Sequence, residues 1–229
     1  MISDHLHDAA LALKKVLSKA NVKFGVFGGY AVSVMGGVRE SKDVDCLASV
    51  TKDQVVSLLD GKNGFTVIPQ SRQDYVAFFW QNPAMKPGKN PVLVEIFCEI
   101  FPGSRYSMNN ARTTEITIRG SSGAVGTCSY LEPFVIFKGK LRAAATRNKF
   151  HDAADLRKLG DSFQAEIKAR AHELRLDYVG LAMKRNSALE LLFKRLGFDT
   201  ARAKAAVANV DPNKLPAPAP GDVQKGLLG

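Results

Sequence analysis

Cysteine is scarce. Cys46, Cys98 and Cys128 stand singly in a chain of 229 residues. So sparse and odd a count excludes a disulfide framework, and without a CxxC pair or a Cys/His cluster it offers no zinc site. The reading is a reducing, cytoplasmic compartment. Long apolar runs are also lacking, and nothing approaches the roughly 18 residues that a membrane-spanning helix needs. The opening stretch MISDHLHDAALALKK has no basic flank followed by an apolar core, so it is not read as a signal peptide. The histidines (His5, His7, His151, His172) are scattered without ligand spacing, and no internal repeat is visible. Acidic charge is short, with 22 Asp and Glu against 32 Lys and Arg.

What is present describes a soluble globular chain. Apolar residues make up 45% and charged residues 24%, which excludes a disordered, collagenous or membrane-spanning protein. The length suits one domain, or one with an appendage. The net charge of +10 is unevenly spread. Residues 138–209 carry 16 basic and 8 acidic side chains, residues 1–137 only 14 against 12, and the last twenty balance. A cationic C-terminal half favours a polyanionic partner such as nucleic acid or nucleotide phosphates.

Apolar spacing from Leu6 to Leu17 predicts an amphipathic helix over 5–20. Strands are expected at Val22–Phe27, Asp43–Leu47, Phe65–Pro69, Tyr75–Trp80, Val92–Ile100, Thr113–Ile118 and Ala124–Tyr130. Short helices are expected at Tyr30–Met35 and Gln54–Leu59, and QNPAMKPGKNP reads as a Pro/Gly loop. Helices fill the rest: about 131–146, 150–159, 162–174, 186–196 and 199–209. The Pro-rich end, 211–229, reads as a flexible or loosely docked tail. The expected organisation is therefore a mixed sheet flanked by helices over 1–130, then a helical region over 131–210: an α+β class.

The informative stretch is FGVFGGYAVSVMGGVRESKDVDCL, Phe24 to Leu47. A buried strand ends at Gly28-Gly29 and a short helix follows, an arrangement that lets backbone approach an anion closely. Further on, Asp43 and Asp45 share one face of a strand while Val44 points into the core. Two carboxylates side by side repel unless a cation or a shared proton offsets them. Their oxygens suit a hard ion such as Mg2+. In the run PVLVEIFCEI, Glu95 is a charge inside an apolar strand, costly unless paired or liganding a metal. Beside Asp43 and Asp45 it would complete a two-metal site. Glu99 is the rival third acid.

Phe27-Gly28-Gly29, thirteen residues, then Asp43-Val44-Asp45-Cys46, with VEIF downstream, resembles the DNA polymerase β-type nucleotidyltransferase superfamily, whose pattern is hG[GS], a spacer, then Dh[DE]h. Arg39-x-Ser41-x-Asp43-x-Asp45 is similar to the R-x-[ST]-x-D-x-D form of its small toxin–antitoxin-linked and antibiotic-modifying members. The segment LEPFVIFKGKLRAAATRNKFHDAADL resembles the helix these members carry after the sheet, with Lys138, Arg147, Asp152 and Asp155 on the marked positions. His151 departs from it, standing where lysine often precedes the aspartate. The resemblance covers about residues 22–160.

The resemblance implies a nucleotidyltransferase-like fold and the attack of an acceptor on the α-phosphorus of an NTP, ATP foremost, with Mg2+ or Mn2+ as cofactor. Asp43, Asp45 and Glu95 would be catalytic and hold the metals. Gly28 and Gly29 would cradle the triphosphate, and Arg39, Ser41 and Lys138 would complete the nucleotide site. RNA, tRNA especially, is the acceptor favoured by the basic C-terminal half; a small molecule or a protein remains open. The alternatives are a tRNA-dependent transferase of another reaction type on the same fold, or a non-catalytic nucleotide- or RNA-binding module. Arg147 is expected to pair with Asp152 or Asp155, a structural role.

Overall fold

The computed structural model describes residues 2–84 and 91–229; residues 85–90 of the expected Pro/Gly loop lie outside the described residues. The chain divides into two compact units. One runs to Glu132 and takes back Pro220–Gly229; the other is Pro133–Ala219.

In the first unit the elements run α1 (Ile2–Lys19), β1 (Phe24–Phe27), α2 (Gly28–Val34), β2 (Asp43–Ala48), α3 (Lys52–Leu59), β3 (Phe65–Ile68), β4 (Tyr75–Trp80), β5 (Val92–Cys98), β6 (Thr113–Arg119) and β7 (Val125–Leu131). The seven strands form one mixed sheet in the order β3-β4-β5-β2-β1-β7-β6. β2 lies parallel to β5 and antiparallel to β1, and β1 is parallel to β7. The apolar stripe of α1 (Leu6, Ala9, Ala10, Leu13, Leu17) is buried as its spacing predicts. The thiol of Cys128 on β7 reaches the carbonyl of Ala10 at 3.7 Å. On β2 and β5 Leu47 and Phe97 are buried on the acids' side, and Val44, Cys46, Val94 and Ile96 are buried on the other. Each such side chain contributes roughly 1.5–3 kcal/mol of burial for the larger types. The acids themselves, Asp43, Asp45 and Glu95, are half-buried. All three cysteines are buried and unpaired.

The second unit is helical: α4 (Pro133–Thr146), α5 (Phe150–Ser162), α6 (Gln164–Ala169), α7 (Leu176–Arg185), α8 (Glu190–Arg195) and α9 (Thr200–Ala206). α4 packs on α5 and α7, and α7 packs on α9. Ala145, Leu181 and Val207 form a buried cluster covered by Tyr178 and Leu215. Lys140 is buried between Asp155 (2.7 Å) and Asp152 (3.8 Å), and Arg147 pairs with Asp152 at 2.7 Å, as the spacing predicts.

The structure differs from the sequence reading in four places. α2 begins at Gly28 itself, so the glycine pair forms the helix's first turn. The expected helix over 162–174 is α6 followed by a separate 3-10 turn at Ala171–Glu173. α7 was not foreseen. And the Pro-rich end carries a helix, α10 (Asp222–Leu228), whose Gln224 and Leu227 are buried in the first unit. Among the described residues no helix is long and apolar enough to cross a membrane.

Candidate active site

The site starts from two glycines. Gly28 has φ +76°, a left-handed backbone that side chains rarely adopt. A Cβ there would collide with Oδ2 of Asp45, and one on Gly29 would collide with the guanidinium of Arg39. Glycine is therefore required twice over at position 28: once for the turn, and once for the close approach of the backbone to Asp45. Phe27, the residue before α2, makes no side-chain cap bond to it. Arg39 also donates from Nη1 to the Glu40 carbonyl at 3.3 Å. Ser41 is buried, and its hydroxyl donates to Oδ1 of Asp43 at 2.9 Å. Its hydroxyl is thus engaged in orienting an acid.

Sheet register then aligns the acids. Asp45 is paired with Glu95 across the parallel β2–β5 ladder, and with Phe27 across β1. Adjacent strands lie about 4.8 Å apart, so paired residues point their side chains to the same side. Asp43, two residues before Asp45, shares that side. Glu99 lies one residue beyond β5, buried, and its Oε2 has no hydrogen-bond partner among the described residues. The register thus joins Glu95, and not Glu99, to the aspartates.

Tyr75, which sequence reasoning missed, completes this face. β4 pairs Ala77 with Glu95, which sets Tyr75 diagonally across from the acid. Its hydroxyl donates to Oε1 of Glu95 at 2.5 Å. Burial pushes the Tyr75 phenol well above its ordinary range, and its bond to Glu95 and the charges of Glu95 and Asp45 push it further. It stays protonated and remains a donor. Phe97 packs between Tyr75 (5.1 Å between centroids) and Phe27 (5.5 Å), so an aromatic floor lies beside the acids. No sequence motif announces Tyr75, because its role depends on strand register.

A hard divalent cation fits the donor set in kind: three carboxylates, all oxygen, on one half-buried face. The carboxylates are not already gathered, for among the described residues no three His, Cys, Asp or Glu side chains are grouped to hold a metal. The fit is one of residue type and register, with Glu95 held by Tyr75.

Beside Arg39 and Ser41 opens a cavity of about 460 Å³, lined also by His7, Ser33, Glu40 and Arg119. His7 bonds through Nδ1 to the Tyr30 hydroxyl at 2.7 Å, and Tyr130 donates to that same hydroxyl at 3.2 Å. Burial lowers the His7 pKa against the pull of Asp4 and Asp8. Lys138 belongs to α4 of the second unit. It is half-buried there, and burial draws its ammonium below its ordinary range while Glu173 opposes the shift.

No family profile matches the chain, and no curated protein matches it in sequence. Solved structures do. An antigenic nucleotidyltransferase-like protein from Paracoccidioides brasiliensis superposes with a TM-score of 0.61 at 19% identity, over 84% of this chain and 93% of that one. Looser likenesses include the antibiotic-resistance enzyme ANT(2")-Ia with adenylyl-2"-tobramycin (TM-score 0.45, 12% identity, 79% of this chain and 98% of that one). Another is the lincosamide adenylyltransferase LnuA (0.41, 12%, 65% and 92%). The first likeness shows the fold, which is nucleotidyltransferase-like; the looser two add nothing to it.

Proposed function

We propose that the protein is a metal-dependent nucleotidyltransferase that moves NMP from an NTP, ATP foremost, to an acceptor hydroxyl and releases pyrophosphate. The observation that carries this reading is the pairing of Asp45 with Glu95 on adjacent parallel strands, next to a glycine turn packed on that same aspartate. The nucleotidyltransferase-like fold supports it.

Asp43, Asp45 and Glu95 would hold Mg2+ or Mn2+. Such ions neutralise phosphate charge and polarise the reacting oxygens. The chain's own residues do the remainder. The backbone of the Gly28-Gly29 turn, which carries no side chain to hold a ligand off, would cradle the triphosphate. Arg39, whose guanidinium lies against Gly29, adds positive charge to the phosphates. Ser41 fixes the Asp43 carboxylate through its hydroxyl. Glu95 takes the proton of the acceptor hydroxyl as its oxygen forms a bond to the α-phosphorus and the bond to pyrophosphate breaks.

RNA, and tRNA in particular, is the acceptor we favour. In the helical unit Asp152, Asp155, Asp161, Glu173, Asp177 and Glu190 are all spent in internal ion pairs. Lys149, Lys168, Arg202 and Lys214 are exposed. A surface of that sign attracts a phosphate backbone. The buried, unpaired thiols suit the cytoplasm.

The test is incubation with each labelled NTP, Mg2+ or Mn2+, and total RNA or the protein alone. The expected result is label on RNA from one NTP, lost in Asp45→Ala. Label on protein would move the acceptor, and no label from any NTP would refute the reading.

A further inference from the structure

The C-terminal segment reaches the candidate acid through a continuous set of contacts. Asp74 is fully buried at the entrance to β4. Its carboxylate accepts two bonds from Arg72, from Nε at 2.9 Å and Nη2 at 2.7 Å, and a third from the Gly221 N–H at 2.8 Å. Gly221 aims that N–H from a left-handed backbone, φ +82°. Three residues on, buried Gln224 donates from Nε2 to the Asp74 carbonyl (3.1 Å) and to the Cys98 carbonyl at the end of β5 (2.8 Å). Arg72, so fixed, lies over the Tyr75 ring at 5.4 Å. Tyr75 in turn holds Glu95.

Each link has a physical reason to be rigid. A fully buried carboxylate is costly unless its charge is paired and its oxygens bonded. Arg72 supplies the charge and a two-point fork, and the chain end supplies the third bond. The Gln224 amide ties the residue before β4 to the last residue of β5, the two strands that carry Tyr75 and Glu95. Burial alone would raise the Asp74 pKa, yet the bonds from Arg72 and Gly221 hold it below the ordinary carboxylate range.

We propose that Tyr75 is the positioning residue for Glu95, and that the segment Pro220–Gly229 sets Tyr75 through Asp74 and Arg72. Its consequence for turnover rests on the nucleotidyltransferase reading. The end of the chain is thus a fastening for the acid and does no chemistry itself.

The experiment compares the protein of 229 residues with its Tyr75→Phe, Gln224→Met and Arg72→Lys variants by proton NMR and by steady-state kinetics. Gln224→Met keeps the side chain's bulk and removes both donors; Arg72→Lys keeps the charge on Asp74 and loses the fork. The wild type should give a downfield hydroxyl proton that disappears in Tyr75→Phe and is shifted or broadened in both remote variants. In all three, kcat should fall about 10- to 100-fold with KM for ATP within about two-fold, the pattern of a misplaced group. An unchanged proton signal in both remote variants overturns the proposal, even if their melting temperatures drop. If one remote variant fails to fold, the other decides. A wild type that releases no pyrophosphate from any NTP sinks the functional reading alone, and the proton signal still decides the relay.

Discussion

A single carbon atom separates the glycine turn from a blocked site. Gly28 must be left-handed and must also leave room for Oδ2 of Asp45. Gly28→Ala should therefore lose at least about 100-fold in pyrophosphate release, the scale of displaced groups in a preorganised site. It should also cost about 1–3 kcal/mol of stability by chemical denaturation. Ser41→Ala removes only a hydroxyl from a buried bond to Asp43. A loss of about 1 kcal/mol of stability by denaturant titration is expected, with roughly 5- to 30-fold lower kcat/KM from the looser Asp43 carboxylate. These positions were legible in sequence because glycine pairs and alternating acids carry their own physical signature. Tyr75 was not. It meets Glu95 only after β4 and β5 have paired in one particular register, and nothing in QDYVAFF distinguishes a positioning phenol from a core aromatic. Phe79, on the same alternation as Tyr75, is 45% exposed while Phe78 beside it is buried.

The strands were the readable elements, since turns and apolar alternation bracket each one. The helices that escaped did so for identifiable reasons. α7 contains Gly180, which reads as a breaker; it is there because a Cβ would run into the Ala203 carbonyl on α9. α10 follows a Pro-rich run that suggests a tail, and its docking depends on the buried Gln224. In the α4–α5 pair the ion network makes two measurable predictions. Asp155→Ala strands buried Lys140 beside a single distant partner, so it should destabilise by about 3 kcal/mol or more in a denaturant titration. Burial alone would raise the Asp152 pKa, but the bonds and charges from Arg147 and Lys140 outweigh it and hold the carboxyl below its ordinary range. Its contribution is therefore complete above the unfolded value near pH 4 and is lost as pH falls through the lower folded value. Melting temperature should decline below about pH 4, and Asp152→Asn should flatten that decline.

At the scale of the whole chain, charge and sheet order do different work. The excess of eight positive charges over residues 138–209 was readable by counting. What counting does not give is that six acids of the helical unit lie in internal ion pairs while Lys149, Lys168, Arg202 and Lys214 are exposed. RNA binding should consequently weaken by tens-fold or more between about 50 and 200 mM salt. A filter-binding series that stays flat with salt would remove nucleic acid as the acceptor. Sheet order assembles the proposed site: β2 lies next to β5 although three elements separate them in sequence, and that adjacency pairs Asp45 with Glu95 while Glu99 falls beyond the strand. The most direct measurement is pyrophosphate release by Glu95→Gln beside Glu99→Gln, two near-isosteric changes four residues apart. The account predicts a loss of at least about 100-fold for Glu95→Gln, the scale of a removed transition-state contact, and a change of only a few-fold for Glu99→Gln. Full activity in Glu95→Gln, or the larger loss in Glu99→Gln, would contradict it.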